Sequence, residues 1–220
     1  FSKLLIIMVP DRINTLTRFL DESLVGEPSI AIEVSYKTLR DMMIEVTNAQ
    51  HILLTNKKVS SEYEKKMINV EEAIEVLRKF LNQIQTNSSK ERNKLVVILH
   101  SLDHITRLTK VLREQQKIEA IYIQERLLGE WYDLLSEIKE TIHDDNNLEK
   151  ITLTLEQKSQ KVAVERRVRR NHYFERTVAN DAELELVVSK VEALLWIDRL
   201  IYHYWRATAR MAELKELKGV

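Results

Sequence analysis

The chain has 220 residues, and its 34 Lys and Arg are balanced by 34 Asp and Glu, so the formal net charge is zero and the electrostatic basis for binding nucleic acid is missing. Three Gly and two Pro are too few breakers for a β-sandwich, a barrel or a glycine-loop nucleotide fold, which leaves long helices. The absence of Cys excludes a disulfide framework, thiolate zinc ligation and a cysteine nucleophile.

The first residue is Phe1 rather than Met, and the sequence therefore predicts coding sequence upstream of it. Leu4 to Val9 (LLIIMV) is purely apolar and stops at Pro10-Asp11, too short to span a bilayer. It reads either as the last turns of something buried or as an arm packed on the rest of the chain. No apolar stretch approaches the roughly 18 residues of a membrane span, and the start has no signal-peptide pattern, so a chain soluble as given is expected.

Gly26-Glu27-Pro28 marks the first helix start, because Pro suits an opening turn and Glu complements the helix dipole. This helix is predicted to about Leu54, with Leu39, Met42, Val46, Ala49 and Leu53 as its apolar seam. A second follows from about Glu62, striped by Val70, Ile74, Leu77, Leu81 and Ile84, and stops at the polar run Thr86 to Ser89, where a serine is expected to cap the third. The third carries Leu95, Ile98, Leu102, Ile105, Thr109 and Leu112. After a break near Lys117, Ile121, Leu128, Trp131 and Leu135 form a fourth, ending near His143.

Asp144 to Asn147 is a turn and capping cluster that opens a fifth helix on Leu148, Ile151, Leu155, Lys158 and Val162, running into Arg166 to Arg170. After Asn180-Asp181, a last seam of Leu184, Val188, Val191, Leu195, Asp198, Tyr202, Trp205, Ala209 and Ala212 is predicted to face the core. Six helices result. The local pattern around Asp103 (Leu99, Leu102, Ile105) repeats around Asp198 (Leu194, Ile197, Leu200) at an offset of 95 residues, which suggests two tandem three-helix units.

Chemistry-bearing residues are sparse. His100, Asp103 and His104 lie at i, i+3 and i+4, so one helix face offers two imidazoles and a carboxylate, a candidate metal set; the alternative is a solvated face with Asp103 near a groove. Asp198 stands in an otherwise apolar seam and needs a polar partner: an Arg or Tyr on a neighbouring helix, or a metal. No HExxH, Walker loop, nucleophile elbow or GxGxxG is present, so catalysis has no visible carrier. Arg166, Arg167, Arg169 and Arg170 wrap more than one helix face and read as solvated or as contacts for anionic lipid headgroups. The aromatic run around Trp196, Tyr202, Tyr204 and Trp205 reads as core, or as an inter-domain or membrane-proximal contact.

Phe19-Leu20-Asp21-Glu22-Ser23-Leu24, followed by Pro28, Ala31, Ile32, Leu39 and Met42, resembles the junction after the membrane part of bacterial sodium-phosphate cotransporters, where a PhoU-like helical domain begins. Ser189, Glu192, Leu195, Trp196, Asp198, Arg199, Tyr202, His203, Trp205, Arg206 and Ala207 resemble that domain's final helix, and Val70 to Ile74 and Leu99 to Arg107 its second and third. The resemblance covers residue 19 to the C-terminus.

It implies an all-α, PhoU-like fold of two tandem three-helix bundles: an N-terminal arm over 1–26 ending an upstream membrane part, a first bundle over 27–118 and a second over 119–220. It implies a non-catalytic regulatory domain on the cytoplasmic face of the cell membrane, modulating sodium-dependent phosphate uptake. Its partner would be the membrane domain of the same transporter or another subunit, or a further copy in a homo-oligomer. The alternatives are a free-standing PhoU-type regulator and a metal-binding helical protein. PhoU proteins hold divalent or iron clusters on pairs of acids one turn apart. Here Asp103 is followed four residues on by Arg107, and Asp198 by Tyr202, so each pair lacks its second acid. His100, Asp103, His104 and Asp198 are accordingly the metal candidates, with no other cofactor expected.

Overall fold

The computed structural model describes residues 14–114, 125–176 and 181–217. All regular structure in them is helical: α1 (Pro28–Asn56), α2 (Ser61–Leu81), α3 (Ser89–Leu112), α4 (Glu125–Thr141), α5 (Leu148–Arg176) and α6 (Asp181–Glu216), with short 3-10 turns at Thr15–Thr17, Glu22–Gly26 and Asp145–Asn147. No helix among the described residues is long and apolar enough to cross a membrane. Leu4 to Val9, Lys117, Ile121 and Asn180 lie outside the described residues.

The helix ends follow from local chemistry. Asp21 accepts a hydrogen bond from the Ser23 amide at 2.8 Å to start the turn before α1, and Pro28 opens α1 where no amide is needed. Ser60 caps α2. Ser88 caps α3 in a reciprocal box with Glu91, the serine role read from the sequence. Asp144 caps the turn that leads into α5. The α1 chain reverses at Lys57, a non-glycine residue in the left-handed region at φ 53°.

Single apolar faces fix the packing of the first three helices. Leu39, Met42, Val46, Ala49 and Leu53 of α1 are all buried, as are Val70, Ile74, Leu77 and Leu81 of α2 and Ile98, Leu102, Ile105 and Leu112 of α3. Helix α1 packs on α2, α3 and α4; α6 packs along both α3 and α5. The buried apolar residues form one continuous cluster from Leu16 to Leu214, so the two halves of the chain share a core.

Polar ties reinforce this arrangement. The Arg113 guanidinium of α3 holds both oxygens of Glu71 at 2.7 and 2.8 Å and also pairs with Glu64, both on α2. Asp145, in the turn before α5, accepts from the Tyr36 hydroxyl at 3.3 Å and pairs with Arg40 at 3.2 Å, while Lys215 near the end of α6 donates to its carbonyl at 3.0 Å. One turn thus anchors α1 and α6 together. Burial and the neighbouring Asp145 carboxylate push the Tyr36 hydroxyl above its ordinary range.

The last helix departs from the sequence expectation. The seam of Leu184, Val188, Leu195 and Tyr202 is exposed, and Val191, Trp205 and Ala209 are only partly covered; Asp198 is largely covered, and of the expected set only Ala212 is fully buried. The core face is the opposite one, carrying Ala193, Trp196, Leu200, Tyr204, Ala207 and Met211. Helix α6 is apolar on both sides, so periodicity fits two faces equally. The face turned inward is the one whose alanines let the backbones approach and whose large rings find polar partners.

Candidate functional site

The densest set of polar side chains lies along the seam where α3 meets α6. The buried Trp196 of α6 donates its indole N–H to the Val111 carbonyl at 2.8 Å, tying α6 to the end of α3. Three residues after Trp196, Arg199 pairs with Glu114, just past the end of α3, at 2.5 Å. One turn further, the Nδ1 atoms of His104 and His203 approach to 3.2 Å. For this contact to be a hydrogen bond, one ring carries its proton on Nδ1 and the other on Nε2. Tyr202 stands edge-on to both imidazoles and to Trp205, with ring centroids 5.2 to 6.1 Å apart.

The charges around this pair are mainly positive. Burial lowers the His104 pKa first, and Arg206, Arg107 and Arg210 add to it against the opposing Asp103. His203 is pushed down to about 4, chiefly by burial and then by His104 and Arg107. Both rings are therefore neutral at pH 7. A cation placed here would meet the same burial and neighbouring positive charge that keep the imidazoles unprotonated, whereas the neutral pair joins the two helices across the seam.

This makes stability pH-dependent with a definite sign. The unfolded His takes up a proton below about pH 6.5, while the folded one resists it, so the unfolded state binds more protons as the pH falls from there toward 4. The contribution is fully present above pH 6.5 and lost below it. After discounting for half-exposure it is about 1–2 kcal/mol. Lowering the pH from about 7.5 to about 5 is expected to reduce the Tm by several degrees, and His203→Gln to flatten that slope. An unchanged slope in the variant would contradict this assignment.

The candidates read from the sequence go to different places. His100 is exposed on α3. Asp103 is exposed and accepts from Arg107 one turn on, at 2.9 Å, the neutralisation that the Asp-to-Arg spacing predicts. His104 faces His203. Asp198 is largely covered and pairs with Arg166 of α5 at 3.1 Å, an Arg on a neighbouring helix as expected. Its pKa is raised by burial, against the lowering effect of Arg166 and Arg167. Among the described residues no three His, Asp or Glu side chains group so as to hold a metal ion.

Sequence reasoning missed His203 as the partner of His104, although His203 stands among the residues that carry the family resemblance. Of the arginine run, Arg166 is committed to Asp198 and Arg169 to Glu165. Because Arg166 is a third exposed and can hydrate, Asp198→Leu is expected to shift the Tm by a few degrees at most, in either direction. A loss of many degrees would show that the carboxylate does more than set register. Comparison with family models, curated proteins and solved structures finds no match to this chain.

Proposed function

We propose that this chain is a non-catalytic regulatory domain of a sodium-dependent phosphate transporter, held at the cytoplasmic face of the membrane and modulating phosphate uptake through helix contacts. In this reading the fold is PhoU-like, with α1 to α3 and α4 to α6 as its two bundles. Its partner is the transporter's membrane domain or another subunit. Function is contact rather than chemistry.

The observation that supports the reading is the work done by the residues that resemble the cotransporter domain's last helix. Trp196, Asp198, Arg199 and His203 each tie α6 to another helix, at Val111, Arg166, Glu114 and His104 respectively. A displacement of α6 would break contacts to α3 and α5 together, which suits an element that passes on a change at one end of the bundle. At the other end of the chain, Asp21 and Pro28 of the resembling junction set the start of α1.

The test is the reading frame upstream of Phe1. The proposal expects several apolar segments of about 20 residues there. A start codon just before Phe1 would contradict it and favour a free-standing regulator.

A further inference from the structure

The outer face of α6 combines two features that contacts within the chain cover only in part. The first is apolar: from Leu184 to Ala209, side chains at alternating steps of four and three form one stripe. On it Leu184, Val188, Leu195 and Tyr202 are 38 to 46 % exposed, while residues of the opposite face such as Ala193, Leu200 and Tyr204 are at 0 %. Alternating steps of four and three are the spacing of a coiled-coil seam, in which each side chain enters a hole on a facing helix.

The second feature is the order of charges beside the stripe. The flanking positions, seven residues apart, are Glu185, Glu192, Arg199 and Arg206. Among the described residues, Glu185 and Glu192 are exposed and without an ion pair, and the Arg206 Nε is buried without a hydrogen-bond partner, its guanidinium resting on the Trp205 ring. Arg199 is engaged with Glu114.

We propose that this face docks a second copy of the chain, α6 against α6, antiparallel about a two-fold axis near Leu195 to Asp198. In that register Leu195 faces Asp198 of the partner subunit and Val191 faces Tyr202 of the partner subunit. The flanking row is then self-complementary: Glu185 meets Arg206 of the partner subunit, and Glu192 meets Arg199 of the partner subunit. A parallel pairing would set this row against the opposite flank, Val187, Leu194 and Ile201, which is buried within the chain, and has no such match. An anionic lipid surface is disfavoured because half of the row is acidic. Asp198, the one charge on the stripe, sits near the axis, where a polar group in an apolar seam fixes orientation and register. The inference is independent of any role in phosphate transport.

The test is the mass of the 220-residue chain by light scattering after gel filtration, with circular dichroism to verify folding. The expected result is twice 26.0 kDa. Glu185→Arg or Arg206→Glu alone should weaken the dimer by about ten-fold or more, since each breaks two pairs per dimer, and the two combined should restore it. A chain that stays monomeric, a dimer indifferent to both single changes, or a folded double variant that fails to recover would overturn the proposal. So would a monomer that floats with phosphatidylserine vesicles, which would assign the face to a membrane.

Discussion

Trp196→Ala is expected to lower stability by about 3–5 kcal/mol, seen as a lower urea midpoint at unchanged m. The ring is 1 % exposed and lies between α6 and α3, so truncation leaves a cavity at the seam that joins the two halves of the core. It also removes the 2.8 Å hydrogen bond to the Val111 carbonyl. That carbonyl keeps the Glu114 amide at 3.1 Å, so Trp196→Phe, which retains most of the packing, should cost about 1–2 kcal/mol. A loss below 1 kcal/mol for the alanine variant would mean that α6 does not depend on this ring.

Trp131→Ala is expected to cost a similar 3–5 kcal/mol, but Trp131→Phe should behave differently from Trp196→Phe. Trp131 is fully buried on α4 and stacks edge-on against Tyr204 with centroids 5.7 Å apart, and the Tyr204 hydroxyl meets that of Thr47 on α1. The chain Trp131–Tyr204–Thr47 links α4, α6 and α1. The Trp131 indole N–H, however, is buried without a hydrogen-bond partner among the described residues. Phenylalanine removes that unpaired donor as it removes volume, and the two effects offset, so the variant should lie within about 1 kcal/mol of the parent. The same substitution thus has two outcomes, decided by whether the N–H is paired. Equal losses for the two phenylalanine variants would contradict the assignment of hydrogen bonds in the core.

How much of this was legible in the sequence depends on how many apolar faces each helix has. In α1, α2 and α3 one face is apolar and the other charged, so periodicity alone identified the buried residues, such as Leu39 to Leu53 on α1. In α6 both faces are apolar, and periodicity alone points to the outer one as readily as to the inner. Asp198 carries the clue: a charge in the middle of a stripe suits a face from which it reaches a neighbouring helix's Arg166 better than the centre of an apolar core.

The repeat at an offset of 95 residues shows the same limit. Asp103 and Asp198 match in sequence, yet the first side chain is 50 % exposed and the second 15 %. Tertiary context, not local pattern, separates them. The His104–His203 contact lies beyond any local rule because its members are 99 residues apart and meet only through the packing of α3 on α6.

The proposal that this chain regulates sodium-dependent phosphate uptake is tested most directly by measuring radiolabelled phosphate entry. The comparison is between cells expressing the complete reading frame and cells expressing the same frame without the codons for 14–217. The account predicts sodium-dependent uptake in the first and a changed rate or phosphate dependence in the second. No sodium-dependent uptake from the complete frame, or identical uptake in the two, would contradict it.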